Sequence, residues 1–337
     1  MQAERSEKTA NDIMRAAQLA AALEVSATPK PGNVHRNADN PPTRFEHFLA
    51  GAVALGPAVR EAAVQGVRAS SEEIKYSEIG VGRCLKRAVL DIKSWHSGGN
   101  THLGVCMLFM PLAAAAGALL THGFKIEADE LRSEVVRIIE ATTSKDAVEF
   151  YRAVSSLDAG WLGRIEAHDI PDLSSGEALA EISRRDIALY ELMRRSAEWD
   201  GVASELSNGL RISFTIGYPA FIETYRETSD INTATVNTFL KILSEVPDTF
   251  IARKVGLGKT SSIVEAVKIG MAESIKVSEK AKEILTVHRG MLTEDGQREV
   301  KRLDRELRSR GGTLNPGTTA DITATSLMIA LLTGFRP

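Results

Sequence analysis

The stretch LGVCMLFMPLAAAAGALL, residues 103–120, decides the fold class of this chain. It is nearly all apolar, carries no charged side chain, and has a proline, Pro111, at its middle. About 18 residues is the short limit for a helix that spans a membrane. The stretch therefore predicts a helix buried at the centre of a helical protein, and no membrane span.

The rest of the chain has the same helical character. Apolar residues recur at the helical period, and the alternation typical of strands is scarce. The last segment predicts an interior helix in which Asn315 is the cap and Pro316 takes the first helical position. We find no repeat and no linker, so the sequence predicts an all-α protein with one compact domain over residues 1–337.

Composition excludes several classes of function. The net charge of -3 provides no basic field for nucleic acid. Cys84 and Cys106 lack the spacing of metal ligands, as expected in a reducing compartment, and the first residues lack the apolar core of a signal peptide. We expect a cytoplasmic protein that has neither a nucleic acid nor a membrane as its partner.

A first polar loop, Thr28–Arg36, combines two prolines with Gly32, Asn33 and the cationic or donor side chains of Lys30, His35 and Arg36. A stiff backbone that carries such groups is suited to clamp a phosphate. The alternative interpretation is a rigid connector with exposed charges.

A second polar loop, residues 97–104, precedes the apolar helix. It contains Gly98, Gly99, Asn100, Thr101 and His102. Free amides at the start of a helix favour an anion, which makes this loop a candidate phosphate site. The alternative is that Asn100 or Thr101 only caps the helix and that His102 is a core residue.

Two further stretches carry charge. In residues 315–321, Asn315, Gly317 and Thr318 begin the last helix, and Asp321, one turn later, can bind a metal or only complement the helix dipole. In residues 247–256, Asp248 precedes the adjacent cations Arg253 and Lys254. The nearby Gly258-Lys259-Thr260 lacks the first glycine of a P-loop, so we reject that motif.

These four stretches together resemble the triphosphoribosyl-dephospho-CoA synthase family. They correspond, in family order, to its TPKPG loop, its NTH-type loop, its PDT-x-I-x-RK-x-G stretch and its NPGT-x-AD segment. The resemblance implies an all-α transferase that uses ATP to attach a triphosphoribosyl group to the ribose 2′-hydroxyl of 3′-dephospho-CoA and releases adenine. The product is the precursor of the prosthetic group of citrate lyase or malonate decarboxylase.

The resemblance also implies roles for particular residues. Lys30, Arg36, Arg253 and Lys254 are candidates to hold the triphosphate, and Mg²⁺ would bridge it to Asp321 or Asp248. Glu46, Asp248 and Asp321 are the candidate carboxylates near the reacting carbon, and His35 or His102 would protonate the departing adenine.

The sequence departs from citrate-lyase-type members where Leu103, and not a lysine, follows His102, and also at Asn33 and His35. We therefore expect a divergent branch. The alternatives are an ATP-dependent transferase or kinase-like enzyme in another cofactor-biosynthesis pathway, or a nucleotide-binding helical protein without catalysis. The subunits can also form a homodimer.

Overall fold

The protein is built from α-helices, in a computed structural model that describes residues 2–120, 126–157, 170–172 and 175–337. Within these ranges the backbone forms no β-strand, only two isolated bridges in the segment that follows the first helix. The predicted all-α class is confirmed. The helices in chain order are α1 (Gln2–Ser26), α2 (Phe45–Ala54), α3 (Gly56–Ser70), α4 (Val81–Trp95), α5 (Leu103–Leu120), α6 (Ala128–Glu140), α7 (Ser144–Ser155), α8 (Ala178–Arg185), α9 (Leu189–Ser196), α10 (Gly201–Ser207), α11 (Tyr218–Thr228), α12 (Ile231–Glu245), α13 (Thr249–Leu257), α14 (Ile263–His288), α15 (Glu294–Arg308) and α16 (Gly317–Leu332).

Helix α5 lies at the centre of the main apolar core. By length and composition it could cross a membrane, but 78% of it is buried inside the protein. It crosses α3 at two reciprocal glycines: a Cβ atom on Gly66 would lie 1.9 Å from the carbonyl oxygen of Ala114, and one on Gly117 would lie 2.1 Å from that of Ala63. The prediction of a buried central helix is confirmed.

Helix α16 is also interior and packs against α1, α5 and α12. Its start differs from the prediction, because the N-cap position is held by Pro316 and the helix begins at Gly317. Asn315 does not cap the helix, since its Oδ1 atom accepts a hydrogen bond of 2.8 Å from Asn33. The last helix is thereby tied to the first polar loop.

The many charges of residues 298–310 suggest a solvated helix, but helix α15 packs on one side. One face is strongly charged and exposed, but Val300, Leu303 and Leu307 are buried in a second apolar cluster formed with α12, α13 and α14. A helix with such separated faces packs on one side only. Its buried side carries Asp304, which accepts a hydrogen bond from Gly32 in the first polar loop.

Candidate active site

A cleft of about 280 Å³ opens where the beginnings of α5 and α16 approach α13. The four polar stretches, which are far apart in the sequence, all contribute to its lining. Its charged side chains come from α13, α16 and the residue before α10, and its larger apolar side chains from α2, α5, α10 and α13. The lining residues that the sequence had singled out are Asn33, Asn100, Thr101, Arg253, Lys254, Asn315, Gly317, Thr318 and Asp321.

Two cations of α13 flank an aromatic ring at the cleft. The guanidinium carbon of Arg253 lies 5.1 Å, and Nζ of Lys254 4.6 Å, from the centroid of the Phe250 ring. Lys254 also donates to the carbonyl oxygen of Gly312 at 3.0 Å, and Arg253 lies 3.6 Å from the carboxylate of Asp200. Burial lowers the pKa of both cations. An anionic ligand in the cleft would offset that cost.

Asp248 holds α13 and α16 together. Its Oδ1 atom accepts from the amides of Phe250 and Ile251 at 2.9 and 3.0 Å, and its Oδ2 atom accepts from the amide and hydroxyl of Thr319 at 2.7 and 2.8 Å. The side chain is buried, and both oxygens are committed to these bonds. The predicted role of Asp248 as a metal ligand or a base is therefore corrected: it positions the start of α16.

Asp321 faces the cleft from the second turn of α16 and reaches the first turn of α5. It accepts a backbone hydrogen bond from Val105, and a Cβ atom on Gly104 would lie 2.0 Å from its Oδ2 atom. Only a glycine at 104 permits this approach. Burial raises the pKa of Asp321 well above its ordinary value of 3.8, and the neighbouring carboxylates of Glu24, Asp248 and Asp200 raise it further.

Lys30 does not face the cleft. Its side chain is fully buried, pairs with the carboxylate of Glu24, and donates to Oδ1 of Asn33 at 3.1 Å. Asn33 in turn donates to Asn315, so the buried pair supports the cleft wall from behind. The predicted direct contact of Lys30 with phosphate is corrected, because its ammonium is already satisfied in the interior.

The remaining part of the first loop is anchored to α15. Asp304 accepts from the amide of Gly32 at 2.9 Å and lies 3.3 Å from Nε2 of His35. Burial lowers the pKa of His35, even though Asp304 favours its charged form. Arg36 is exposed and lies 3.4 Å from Asn232. Gly32, His35 and Arg36 thus fix the loop, and the structure does not bring them to the cleft lining.

The second loop is ordered by its own histidines. Gly98 donates its amide to Nδ1 of His96 at 3.1 Å, which leaves Nε2 of His96 to donate to the Thr101 hydroxyl at 3.1 Å. The same hydroxyl also lies within hydrogen-bond distance, 2.8 Å, of Nδ1 of His102. Asn100 caps α5 by accepting from the amide of Leu103 at 3.1 Å. Asn100 therefore both caps α5 and lines the cleft, whereas Thr101 lines the cleft and contacts the two histidines.

His102 is buried and stacks at an angle on Phe48, with 5.2 Å between ring centroids. Burial lowers its pKa to about 3, with a smaller contribution from His96. Neither His102 nor His35 lines the cleft, so the predicted role of either as the acid has no support from its position.

The other predicted residues of this region lie outside the cleft. Glu46 is exposed beside Arg44, with 3.9 Å between their charged atoms. Gly98 is buried against the ring of His47, and Gly99 has an exposed backbone with a positive φ of 75°. The predicted catalytic role of Glu46 has no support from its position, because its carboxylate points to solvent.

Several lining residues were missed by the sequence reasoning. Asp200 caps α10 by accepting from the amide of Ala203 at 2.9 Å and also faces the cleft. Its position before a short helix looks like an ordinary cap, so no motif marks it. The other missed lining residues are Val34, Asn40, Pro41, Pro42, Thr43, Phe48, Leu103, Gly104, Met107, Val202, Phe250, Gly311, Gly312 and Ala320.

Comparison with known proteins gives one consistent result. A family model described as ATP:dephospho-CoA triphosphoribosyl transferase matches residues 10–336. A 2-(5''-triphosphoribosyl)-3'-dephosphocoenzyme-A synthase of Klebsiella pneumoniae is 25% identical over 96% of this chain and 91% of its own length. A relative from Salmonella typhimurium, assigned the same activity, is 23% identical over 91% of this chain and 86% of its own length.

A solved structure is similar over most of the chain. It is a crystal structure from Archaeoglobus fulgidus, assigned as a triphosphoribosyl-dephospho-CoA synthase. The match has a TM-score of 0.59 and 25% sequence identity, and covers 87% of this chain and all of the other.

Proposed function

The chain belongs to the ATP:dephospho-CoA triphosphoribosyl transferase family, and we propose that its cleft catalyses that family's reaction. A triphosphoribosyl group passes from ATP to 3′-dephospho-CoA, and adenine is released. The observation that carries the proposal is the meeting of four separate polar stretches on one cleft. Their side chains match what the reaction requires: cations for the phosphates and a carboxylate for the reacting sugar.

We place the triphosphate at the charged part of the cleft. Arg253 and Lys254 supply positive charge, and Gly317 and Thr318 lie in the first turn of α16, where the helix dipole is positive. Asn100 and Thr101 lie at the equivalent end of α5. These groups can hold the triphosphate through charge and hydrogen bonds while the sugar reacts.

The carboxylates of the cleft fit Mg²⁺. Magnesium in nucleotide sites is held by one or two carboxylates, with phosphates and waters completing its shell. Asp321 and Asp200 both line the cleft, and repulsion among the nearby carboxylates is what a cation would relieve. Bound there, the ion would neutralise charge on the triphosphate.

We propose that Asp321 acts on the sugar itself. Breaking the bond between adenine and ribose C1′ creates positive charge on the ribose ring, which a nearby carboxylate stabilises. We propose that the same carboxylate also accepts the proton that the acceptor's 2′-hydroxyl loses. Glu46 and Asp248, the other candidates, are respectively exposed away from the cleft and committed to the start of α16.

Two further proposals concern the setting of the enzyme. We propose that it works in the cytoplasm, because both cysteines are buried free thiols and its substrates are intracellular nucleotides. We also propose that the chain forms one domain. We propose a homodimer as its assembly, which light scattering would test.

Replacing either cation should weaken ATP binding. Arg253→Gln or Lys254→Gln removes a charged donor to phosphate, and we expect the Kd for ATP to rise about 10- to 100-fold, equivalent to roughly 1–3 kcal/mol. Calorimetry with ATP and Mg²⁺ measures this. Lys259→Gln is the matched control, because Lys259 is exposed and does not line the cleft. Equal Kd values for all three variants would contradict the assignment.

Gly104→Ala should displace Asp321, because the new methyl group would occupy the place of its carboxylate. We expect adenine release to fall about 100-fold, as for a small misplacement of a catalytic group. The unfolding free energy should fall by about 1–3 kcal/mol, as for an overpacked core. Gly258→Ala is the control, since a Cβ atom there meets only the Val255 carbonyl oxygen, at 3.6 Å. Unchanged activity in Gly104→Ala would contradict the role of this contact.

The reaction itself is tested by following adenine. We expect free adenine, detected by liquid chromatography, only when ATP, Mg²⁺ and dephospho-CoA are all present. ADP or AMP in its place would show phosphoryl or nucleotidyl transfer and would overturn the proposed function.

A further inference from the structure

A row of apolar side chains leads out of the cleft along α5. Leu103 and Met107, one turn apart, line the cleft, and Pro111, one turn further, lines a second cavity. Met107 lines both spaces, so its side chain separates them. On α10, Val202 lines the cleft and Leu206 lines the second cavity. Two helices thus contribute apolar side chains to both spaces.

The second cavity is small and apolar. Its volume is about 20 Å³, and its lining has no charged side chain. The Thr142 hydroxyl in its wall already donates to the carbonyl oxygen of Ile139 and accepts from the amide of Tyr190. Apart from Thr142 and Tyr190 the lining is apolar, so the cavity suits an apolar ligand better than a charged one. Its other lining side chains include those of Leu85, Phe150, Leu189 and Met193.

We propose that this cavity receives the thiol end of the uncharged arm of the acceptor, an inference that rests on the proposed function. Both substrates carry adenine and phosphates, but only dephospho-CoA carries a long uncharged arm that ends in a sulfur atom. The cations of the cleft are on α13, whereas Leu103 and Met107 of α5 offer the arm an apolar path. A methionine has three rotatable bonds and can move aside for a passing chain.

Acceptor analogues of increasing length test the cavity in the native protein. The Kd values of dephospho-CoA and of its S-methyl, S-ethyl, S-propyl and S-butyl derivatives are measured by calorimetry without ATP. Each methylene that enters an apolar cavity should tighten binding by about fourfold. Since the cavity of about 20 Å³ has room for one small group, we expect tightening at the S-methyl derivative only and weakening from S-ethyl onward. Equal Kd values along the series would overturn the inference.

A variant at the boundary tests the same path by kinetics. Met107→Phe places a stiff ring between the two spaces, and we expect the KM for dephospho-CoA to rise at least about tenfold while the KM for ATP is unchanged. Leu90→Phe is the control, because Leu90 is exposed and lines neither space, and it should leave both KM values unchanged. A rise in the KM for ATP instead would assign the cavity to the donor and overturn the inference. If Met107→Phe does not fold, the analogue series decides.

The outcomes separate this inference from the proposed function. If adenine is released in the presence of dephospho-CoA but the Kd values are equal along the analogue series, only the inference is overturned. Absence of any binding of dephospho-CoA would overturn both.

Discussion

Asp321→Asn should abolish adenine release, by at least about 1,000-fold, while the protein stays folded. The substitution keeps the shape of the side chain and removes its charge, and a preorganised charge near a reacting centre is typically the largest single contribution to catalysis. Asp321 faces the cleft as the single charged residue of α16, where packing alone gives no reason for a carboxylate. Steady-state release of adenine measures the loss.

The same substitution should stabilise the fold at neutral pH in the absence of Mg²⁺. The native pKa of Asp321 is raised above 3.8, so the native state holds a proton that the unfolded chain has already released. Stability that depends on this proton is present at low pH and is lost as pH rises from about 4 through the raised pKa. We therefore expect the advantage of Asp321→Asn in urea unfolding to be larger at pH 7 than at pH 4.

A matched carboxylate provides the control. Glu46→Gln makes the same chemical change on an exposed side chain outside the cleft and should leave both turnover and stability unchanged. Native turnover in Asp321→Asn would remove Asp321 from the mechanism. A loss of stability in that variant would instead indicate a structural carboxylate.

Lys30→Met should destabilise the protein by about 3–5 kcal/mol, out of a total that is typically 5–15 kcal/mol. The variant keeps the length of the side chain but leaves Glu24, only 5% exposed, without its buried cation. An uncompensated buried charge is strongly unfavourable. Urea unfolding at neutral pH measures the change.

The double variant Glu24→Gln/Lys30→Met identifies the cause. It removes both charges, so we expect it to recover most of the stability that Lys30→Met loses, and the coupling follows from a double-mutant cycle. If Lys30→Met is as stable as the native protein and its Kd for ATP is raised, the buried pair is contradicted. A direct contact between Lys30 and phosphate would then be the better interpretation.

Sequence patterns predicted the architecture well where one physical effect dominates. Exposing the apolar side chains of residues 103–120 to water would be unfavourable, so burial is expected. Helix α5 is indeed the central helix. The four polar stretches were marked by prolines, glycines and charges that helix connections do not need. Residues from each of them line the cleft.

The roles of individual charged residues were harder to predict, because they depend on partners far away in the chain. Lys30 is paired by Glu24 in the preceding helix, and His35 lies against Asp304 of α15. Nothing in the local sequence shows that these partners exist. Asp200 was missed for the opposite reason, since its local role as a cap hides its exposure to the cleft.

Triphosphoribosyl transfer is tested most directly by following the two ends of ATP separately. The protein is incubated with Mg²⁺, dephospho-CoA and ATP that is labelled either in adenine or in the γ-phosphate, and the products are separated and identified by mass spectrometry. We predict that the adenine label appears as free base and that the γ-phosphate label appears on the acceptor, whose mass increases by a triphosphoribosyl group. A γ-phosphate label on the acceptor together with the adenine label in ADP would show phosphoryl transfer and would contradict triphosphoribosyl transfer.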